Sequence, residues 1–135
     1  MSGETDLKQL LASLQPELGD EDYVFCVLDS QAGVEADIQP LATFREAEGI
    51  TWVLSQTEAD TAELAYQGVF KRITLTVHSS LEAVGLTAAV ASVLAEHGIS
   101  ANVIAAYYHD HVFVPKAKAQ QALALLSALS KDALT

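Results

Sequence analysis

The sequence has one cysteine, Cys26, so a disulfide bond within the chain is excluded. The thiol lies in the apolar run of residues 23–28, which predicts a small buried side chain rather than a reactive group. Prolines and glycines are also scarce, at three and seven of 135 residues, and half of the residues are hydrophobic. This composition excludes a disordered chain and predicts one globular domain or two small ones.

The sequence also has few basic residues and no long hydrophobic run. Seven Lys and Arg stand against 18 Asp and Glu, for a net charge of −11. A surface of that sign repels phosphate backbones and anionic lipids, so binding to nucleic acid or membranes is not expected. No run approaches the roughly 20 residues that span a bilayer, and Glu4 and Asp6 stand where a signal peptide has basic residues. We therefore expect a cytoplasmic protein.

The charges are distributed unevenly along the chain. Residues 1–66 hold fourteen acids against Lys8 and Arg45, a net charge of −12, and the remaining residues have a net charge of +1. We interpret the acids as a solvated surface rather than a cation site. The change in charge falls beside Gln67 and Gly68, a helix-breaking pair, and predicts two domains, residues 1–68 and 69–135.

The first half shows one clear helix and two clear strands. Leu7, Leu10, Leu11 and Leu14 form one apolar stripe of a helix that Thr5 can cap and Pro16 ends. A polar turn is predicted at residues 19–22, then a strand at 23–28 and a turn at 29–33. The following predictions are a short strand at 34–39, a helix or loop at 40–48, a strand at 50–54, and a helix at 57–66 that Thr57 and Asp60 cap.

The second half predicts a strand, a helix and two further strands, with a last helix after Pro115. The first strand covers residues 69–77, with apolar and threonine side chains alternating. Gly98 is placed to end the helix in the left-handed conformation. The next strands are predicted at residues 99–107 and 112–114. Too few residues follow the last helix for a fourth strand. One edge of this sheet would therefore have unpaired backbone groups unless another segment or another chain pairs with it.

This second half resembles the ACT domain, a ferredoxin-like module that senses small molecules, usually amino acids. The resemblance is carried by the strand at 73–77, Gly85 at the helix start, the segment 96–100, Asn102 and the segment 112–115. Residues 48–54 also resemble the first module of small bacterial tandem ACT proteins. The whole chain is then similar to the ACT pair at the regulatory end of aspartate kinases. The fold class that this implies is α+β, with two ferredoxin-like modules, mainly antiparallel sheets and helices on one face.

The resemblance implies a ligand site at the turn before the second module's helix. The implied ligand-binding residues are Ser79, Ser80, Leu81, Glu82, Val84, Gly85, Asn102 and Val103. Free N–H groups at a helix start attract a carboxylate, which fits an amino acid. Ser79 and Glu82 have the spacing of a capping box, so Glu82 is more simply explained as a cap. Two roles remain open for Ser79, Ser80 and Asn102: contact with the ligand, or hydrogen bonding to nearby groups of the protein.

The histidines offer a different hypothesis. His109 and His111 are two positions apart, and with His78 they would provide three imidazoles for zinc or nickel. However, Asp110 is a typical turn residue, and a turn interrupts the alternation that would bring both rings to one face. Ser79 or Ser80 beside His78 is only a sequence neighbour, not a nucleophile and base pair. We therefore expect no metal, no cofactor and no catalytic residue.

The resulting hypothesis is a non-enzymatic regulatory protein that binds a small molecule, with an amino acid as the favoured ligand class. The alternatives are a metal-dependent enzyme using His78, His109 and His111, and a purely structural interaction subunit. With no catalytic domain in the sequence, the regulated enzyme would be a separate protein. The missing fourth strand could be replaced by the first module, by a second copy or by another protein. We expect the first two together, in a homodimer associated through the second module.

Overall fold

A computed structural model describes residues 6–28, 38–77 and 84–133. Four α-helices lie in these residues: α1 (Leu7–Ala12), α2 (Gln56–Thr61), α3 (Leu86–Glu96) and α4 (Ala119–Asp132), the last preceded by a short 3-10 helix (Lys116–Lys118). The strands in the same residues are β1 (Pro16–Leu28), β2 (Ala42–Arg45), β3 (Ile50–Ser55), β4 (Phe70–Leu75), β5 (Asn102–Ala105) and β6 (Asp110–Pro115). The predicted α+β class is confirmed.

The chain forms two compact units whose boundary does not follow the sequence order. The larger unit contains the residues up to Asp20 together with those from Lys71 onward, and the smaller unit contains Glu21–Phe70. The strand β1 contributes its first five residues to the larger unit and the rest to the smaller one. The division of the sequence into modules at residues 68 and 69 stays a prediction.

In the larger unit the strand order is β1, β4, β6, β5, and α1 and α3 both contact α4. Its core joins one face of the strands to the helices through side chains that are at most 4% exposed. They are Leu10, Leu14, Ile73, Leu75, Leu86, Val90, Leu94, Ile99, Val112, Val114, Ala119, Ala122 and Leu126. Ile73 and Leu75 alternate with half-buried Arg72 and Thr74, as the sequence pattern predicts. The apolar stripe of α1 is thus part of the core that the second half of the chain forms.

The start of β1 occupies the place of the missing fourth strand. It lies beside β4 in the strand order. The ammonium of Lys71 donates to the backbone oxygen of Asp20 at 2.6 Å, and the hydroxyl of Thr76 donates to that of Gln15 at 3.0 Å. Residue numbers fall along β1 as they rise along β4, which is the order of an antiparallel pair. Three replacements were possible for the missing strand: the first module, a second copy or another protein. In the structure, β1 of the same chain lies beside β4.

The polar turn predicted at residues 19–22 is wrong, because those residues continue β1, which is 13 residues long. The prediction that Pro16 ends the first helix is also wrong, because α1 ends at Ala12 with Ser13 as its C-cap, and Pro16 is the first residue of the strand. Proline is tolerated at the first position of a strand, where its missing N–H costs no essential hydrogen bond. The strand does not require a glycine at position 19, because a Cβ there would be 3.5 Å from the backbone oxygen of Arg72, an ordinary van der Waals contact.

In the smaller unit the strand order is β2, β3, β1, and both pairings are antiparallel. Cys26 pairs with Trp52, and Val24 pairs with Leu54, so these four side chains share one face. They form a core with Ala59 of α2. Cys26 is 1% exposed, as expected for a small core residue. Burial raises the pKa of its thiol, which disfavours the reactive thiolate.

Two element predictions in this unit need correction. Residues 42–45 form β2, where a helix or loop was expected, because they pair with β3. The helix α2 begins after Ser55 rather than at Thr57, and it ends at Thr61 rather than at residue 66. The side chain of Ser55 accepts from the N–H of Glu58 at 3.2 Å and is its N-cap. The predicted turn at 29–33 and most of the strand at 34–39 lie outside the described residues.

Candidate functional site

The candidate site is built around Gly85, which precedes the first turn of α3. Gly85 has φ +96° and ψ −17°, in the left-handed region that a side chain disfavours. The N–H of Ala89 donates to the carbonyl oxygen of Gly85 at 2.9 Å and begins the helical ladder. The N–H groups of the first helical turn, before Ala89, therefore have no partner inside the helix, and Gly85 has no side chain to cap them. With no acidic residue in the first turn, this helix end suits an anionic group.

Two apolar side chains stand beside Gly85. Val84, which comes before it, is 82% exposed. Leu7 of α1 is also close to Gly85, since a Cβ added to Gly85 would be 3.2 Å from Cδ2 of Leu7. Leu7 is 37% exposed, although Leu10 on the same stripe is fully buried. The start of α3 therefore combines backbone donors that have no partner inside the helix with exposed apolar side chains.

The other predicted site residues are placed as follows. Asn102 and Val103 begin β5, where they pair with Phe113 and Val112 of β6. Val103 packs against the core of the larger unit, and Asn102 is exposed. Consecutive side chains of a strand point to opposite faces, so these two residues do not share a surface of the sheet. Ser79, Ser80, Leu81 and Glu82 lie outside the described residues, so their roles stay predictions.

Leu7 is the residue that the sequence interpretation missed at this site. The sequence does predict its place on the apolar stripe of α1. The sequence gives no signal that Leu7 lies next to Gly85, which is 78 positions further along the chain. That proximity follows from α1 packing with α3 and α4 in one unit.

The histidine hypothesis gains no support from the described residues. His78 lies outside them. His109 is in the turn before β6, and His111 is in β6, where its Nδ1 is 3.0 Å from the hydroxyl of Thr74. Within residues 6–28, 38–77 and 84–133, no three His, Cys, Asp or Glu side chains come together as a metal site would require.

The pKa values at the start of β6 are shifted in opposite directions. Burial lowers the pKa of His111, and the positive charges of Arg72 and His109 lower it further. Burial raises the pKa of the Asp110 carboxyl, which is 8% exposed, and the nearby charge of His109 opposes that rise. In both residues burial favours the uncharged form of the side chain.

Over the described stretches of the chain, no helix has the length and apolar character needed to cross a membrane.

Comparison with known families identifies both halves of the chain. The ACT domain matches residues 2–71, and a second ACT domain matches residues 71–128. The protein belongs to the ACT-domain family and is a tandem ACT protein with ferredoxin-like modules. A search of curated proteins finds no match.

Solved structures agree with that assignment. A Vibrio cholerae protein of unknown function, described as a possible transport protein, is 56% identical over 92% of this chain and 95% of that one, with a TM-score of 0.84. Protein Atu0741 from Agrobacterium tumefaciens is 15% identical over 85% of this chain and 87% of its own, with a TM-score of 0.68. The regulatory subunit of aspartate kinase from Thermus thermophilus, in its ligand-free form, is 10% identical over 84% of this chain and 95% of its own, with a TM-score of 0.59. The last two likenesses concern the fold alone.

Proposed function

We propose that this protein is a non-enzymatic regulator that binds a small molecule, with an amino acid as the ligand class. The two ACT domains and the fold shared with aspartate kinase regulatory subunits support a regulatory role. The observation that carries the proposal is the start of α3, where Gly85 leaves the first-turn N–H groups uncapped by its own side chain. A free α-carboxylate is the group that such donors bind.

The proposed ligand-binding residues remain Ser79, Ser80, Leu81, Glu82, Val84, Gly85, Asn102 and Val103. Of these, Gly85 has the strongest physical case, because a side chain at this position would be strained and would meet Leu7. Val103 has the weakest, because it packs against the core. We further propose a cytoplasmic homodimer that acts on a separate enzyme. We retain residues 1–68 and 69–135 as its two modules.

A thermal-shift screen of the purified protein against the twenty amino acids tests this proposal. A ligand that binds only the native state raises the melting temperature by mass action, by an amount that grows with its concentration. Elemental analysis of the same preparation is the companion measurement. Stoichiometric metal without any amino-acid response would favour the enzyme hypothesis based on His78, His109 and His111. Neither metal nor response would favour a structural subunit.

A further inference from the structure

We propose that one face of the smaller unit's sheet docks another protein and recognises an arginine on a basic, partly apolar segment of that protein. This face is formed by Phe44, Thr51 and Val27, and we call it the open face. The inference rests on the proposed function in one respect, because the proposed regulator acts on a separate enzyme. It assigns that interaction to residues of β1, β2 and β3, none of which is a proposed ligand-binding residue.

The open face is a row of three side chains across the three strands. Thr51 of β3 is the cross-strand partner both of Phe44 in β2 and of Val27 in β1. Side chains of directly paired residues lie on the same face of a sheet. Trp52, the next residue of β3, points to the opposite face, because neighbouring residues of a strand alternate. Trp52 belongs to the core that contains α2, so the row lies on the face away from that helix.

Both ends of the row are exposed apolar side chains. Phe44 is 69% exposed and Val27 is 67% exposed. The apolar surface continues along β1 to Phe25, whose ring packs edge-on against Phe70 with the ring centroids 5.4 Å apart. Residues 23–28 are continuously apolar, which is typical of a strand that is covered on both faces. An exposed apolar surface of this kind is the mark of an interaction site.

A carboxylate lies at the centre of this apolar row. The hydroxyl of Thr51 donates a hydrogen bond to Oε1 of Glu46 at 2.5 Å, which holds the carboxylate beside the middle residue of the open face. A guanidinium that binds this carboxylate would stack on the ring of Phe44, while its methylene stem would pack near Val27. Lysine has no planar group to stack on the ring, so arginine is the better fit.

The charge of the smaller unit decides what kind of surface can cover the open face. Residues 21–70 hold ten acids against one base, Arg45, for a net charge of −9 out of −11 in the whole chain. A second copy of the same face would bring an equal negative charge against it and would be repelled. A basic surface of a different protein is attracted instead. Charge complementarity therefore selects a basic partner rather than a second copy.

The test is an NMR titration of the isotopically labelled full-length protein with a seven-residue peptide of alternating valine and arginine. The control peptides carry lysine or citrulline in place of arginine, and citrulline keeps the shape of arginine without its charge. We expect the arginine peptide to shift the amide signals of Phe44, Thr51 and Val27 in a saturable manner and to bind most tightly. Raising the salt concentration from about 50 to about 500 mM should weaken the arginine peptide and leave the citrulline peptide nearly unchanged.

Variants of the open face locate the contact. Phe44→Ser and Glu46→Gln should each weaken the arginine peptide by about twofold to fivefold. Phe44→Ser should also remove most of the preference for arginine over lysine, because the ring is the group on which a guanidinium stacks. Tyr107→Ser is the matched control, because Tyr107 is also aromatic and 69% exposed but belongs to the larger unit. Its affinity should equal that of the unchanged protein.

Equal affinities for the arginine and citrulline peptides, shifts confined to other residues, or unaltered binding in Phe44→Ser would overturn the inference. A dimer in sedimentation equilibrium that Phe44→Ser abolishes would also overturn it, because a second copy would then cover the open face. Where Phe44→Ser does not fold, the peptide preference and the shifted amides of the unchanged protein still decide. The thermal-shift response to amino acids is measured separately, so failure of the peptide test leaves the proposed function standing. Arginine-specific binding without any amino-acid response would contradict the proposed function alone.

Discussion

The hydroxyl of Thr76 donates a hydrogen bond to the backbone oxygen of Gln15 at 3.0 Å, although the two residues are 61 positions apart. This contact joins the residue after β4 to the residue before β1. At the other end of the pair formed by β1 and β4, the ammonium of Lys71 donates a hydrogen bond to the backbone oxygen of Asp20. Residues 15–20 are therefore a structural part of the unit that contains the second half of the chain.

Leu10→Ala should destabilise the larger unit. Leu10 is fully buried in that unit's core, and truncation of a buried leucine costs about 2–5 kcal/mol. The free energy of unfolding is measured by urea denaturation. Hydrogen exchange then locates the effect, with faster exchange expected in β6 and α4 and little change in β3. Selective loss of protection in β3 would contradict the division into units.

Gly85→Ala should cost more stability than Gly98→Ala. Both glycines are in the left-handed region, at φ +96° and +72°, where an alanine is strained by roughly 1–2 kcal/mol. Only Gly85 has a neighbour in the way, since a Cβ at Gly98 would meet nothing within 4 Å. Denaturant unfolding of both variants gives the comparison. If the contact with Leu7 causes the extra cost, then Gly85→Ala and Gly98→Ala should be equally destabilising in a Leu7→Ala background. Equal stability losses for the two glycine variants in the protein that keeps Leu7 would contradict the contact.

The lowered pKa of His111 makes stability depend on pH. The folded protein favours the neutral imidazole, so this contribution is complete above the usual pKa of about 6.5 and decreases as the pH falls through the lower folded value. His111→Gln has no such titration. We expect the unchanged protein to lose more unfolding free energy than His111→Gln between pH 7.5 and 5.5. Parallel losses would show that the pKa of His111 is not lowered by folding.

Asp110 should have the opposite dependence on pH. Its raised pKa means that folding favours the protonated carboxyl, so its contribution is complete below about pH 3.8 and is lost as the pH rises through the folded value. Asp110→Asn removes the charge and keeps the shape. We expect this variant to be more stable than the unchanged protein at pH 7, with the advantage decreasing toward pH 4. A loss of stability at pH 7 would mean that the carboxylate has a stabilising role.

The elements that were predictable from sequence are those whose own residues favour their conformation. Residues 50–54 form a strand with branched and aromatic side chains, and Gly98 ends α3 at a positive φ, as expected. The composition of residues 19–22 predicts a turn, because Gly and Asp are uncommon in strands. They form part of β1, which is hydrogen-bonded to β4, and pairing between segments so far apart in the sequence has no local signal.

The candidate site was predictable only in part for the same reason. The role of Gly85 at the helix start follows from its own sequence context and from the resemblance to ACT domains. The approach of Leu7 depends on α1 joining the core of the other half of the chain, which no local pattern in residues 7–14 indicates.

The most direct test of amino-acid binding is backbone NMR of the isotopically labelled protein, titrated in turn with each of the twenty L-amino acids. Binding at the start of α3 predicts that at least one of them shifts the amide signals of Gly85 and Leu86 in a saturable manner. The amides of β2 in the smaller unit, which is distant in sequence, should stay unchanged and serve as an internal control. No saturable shift with any amino acid, or shifts confined to residues away from α3, would contradict the account.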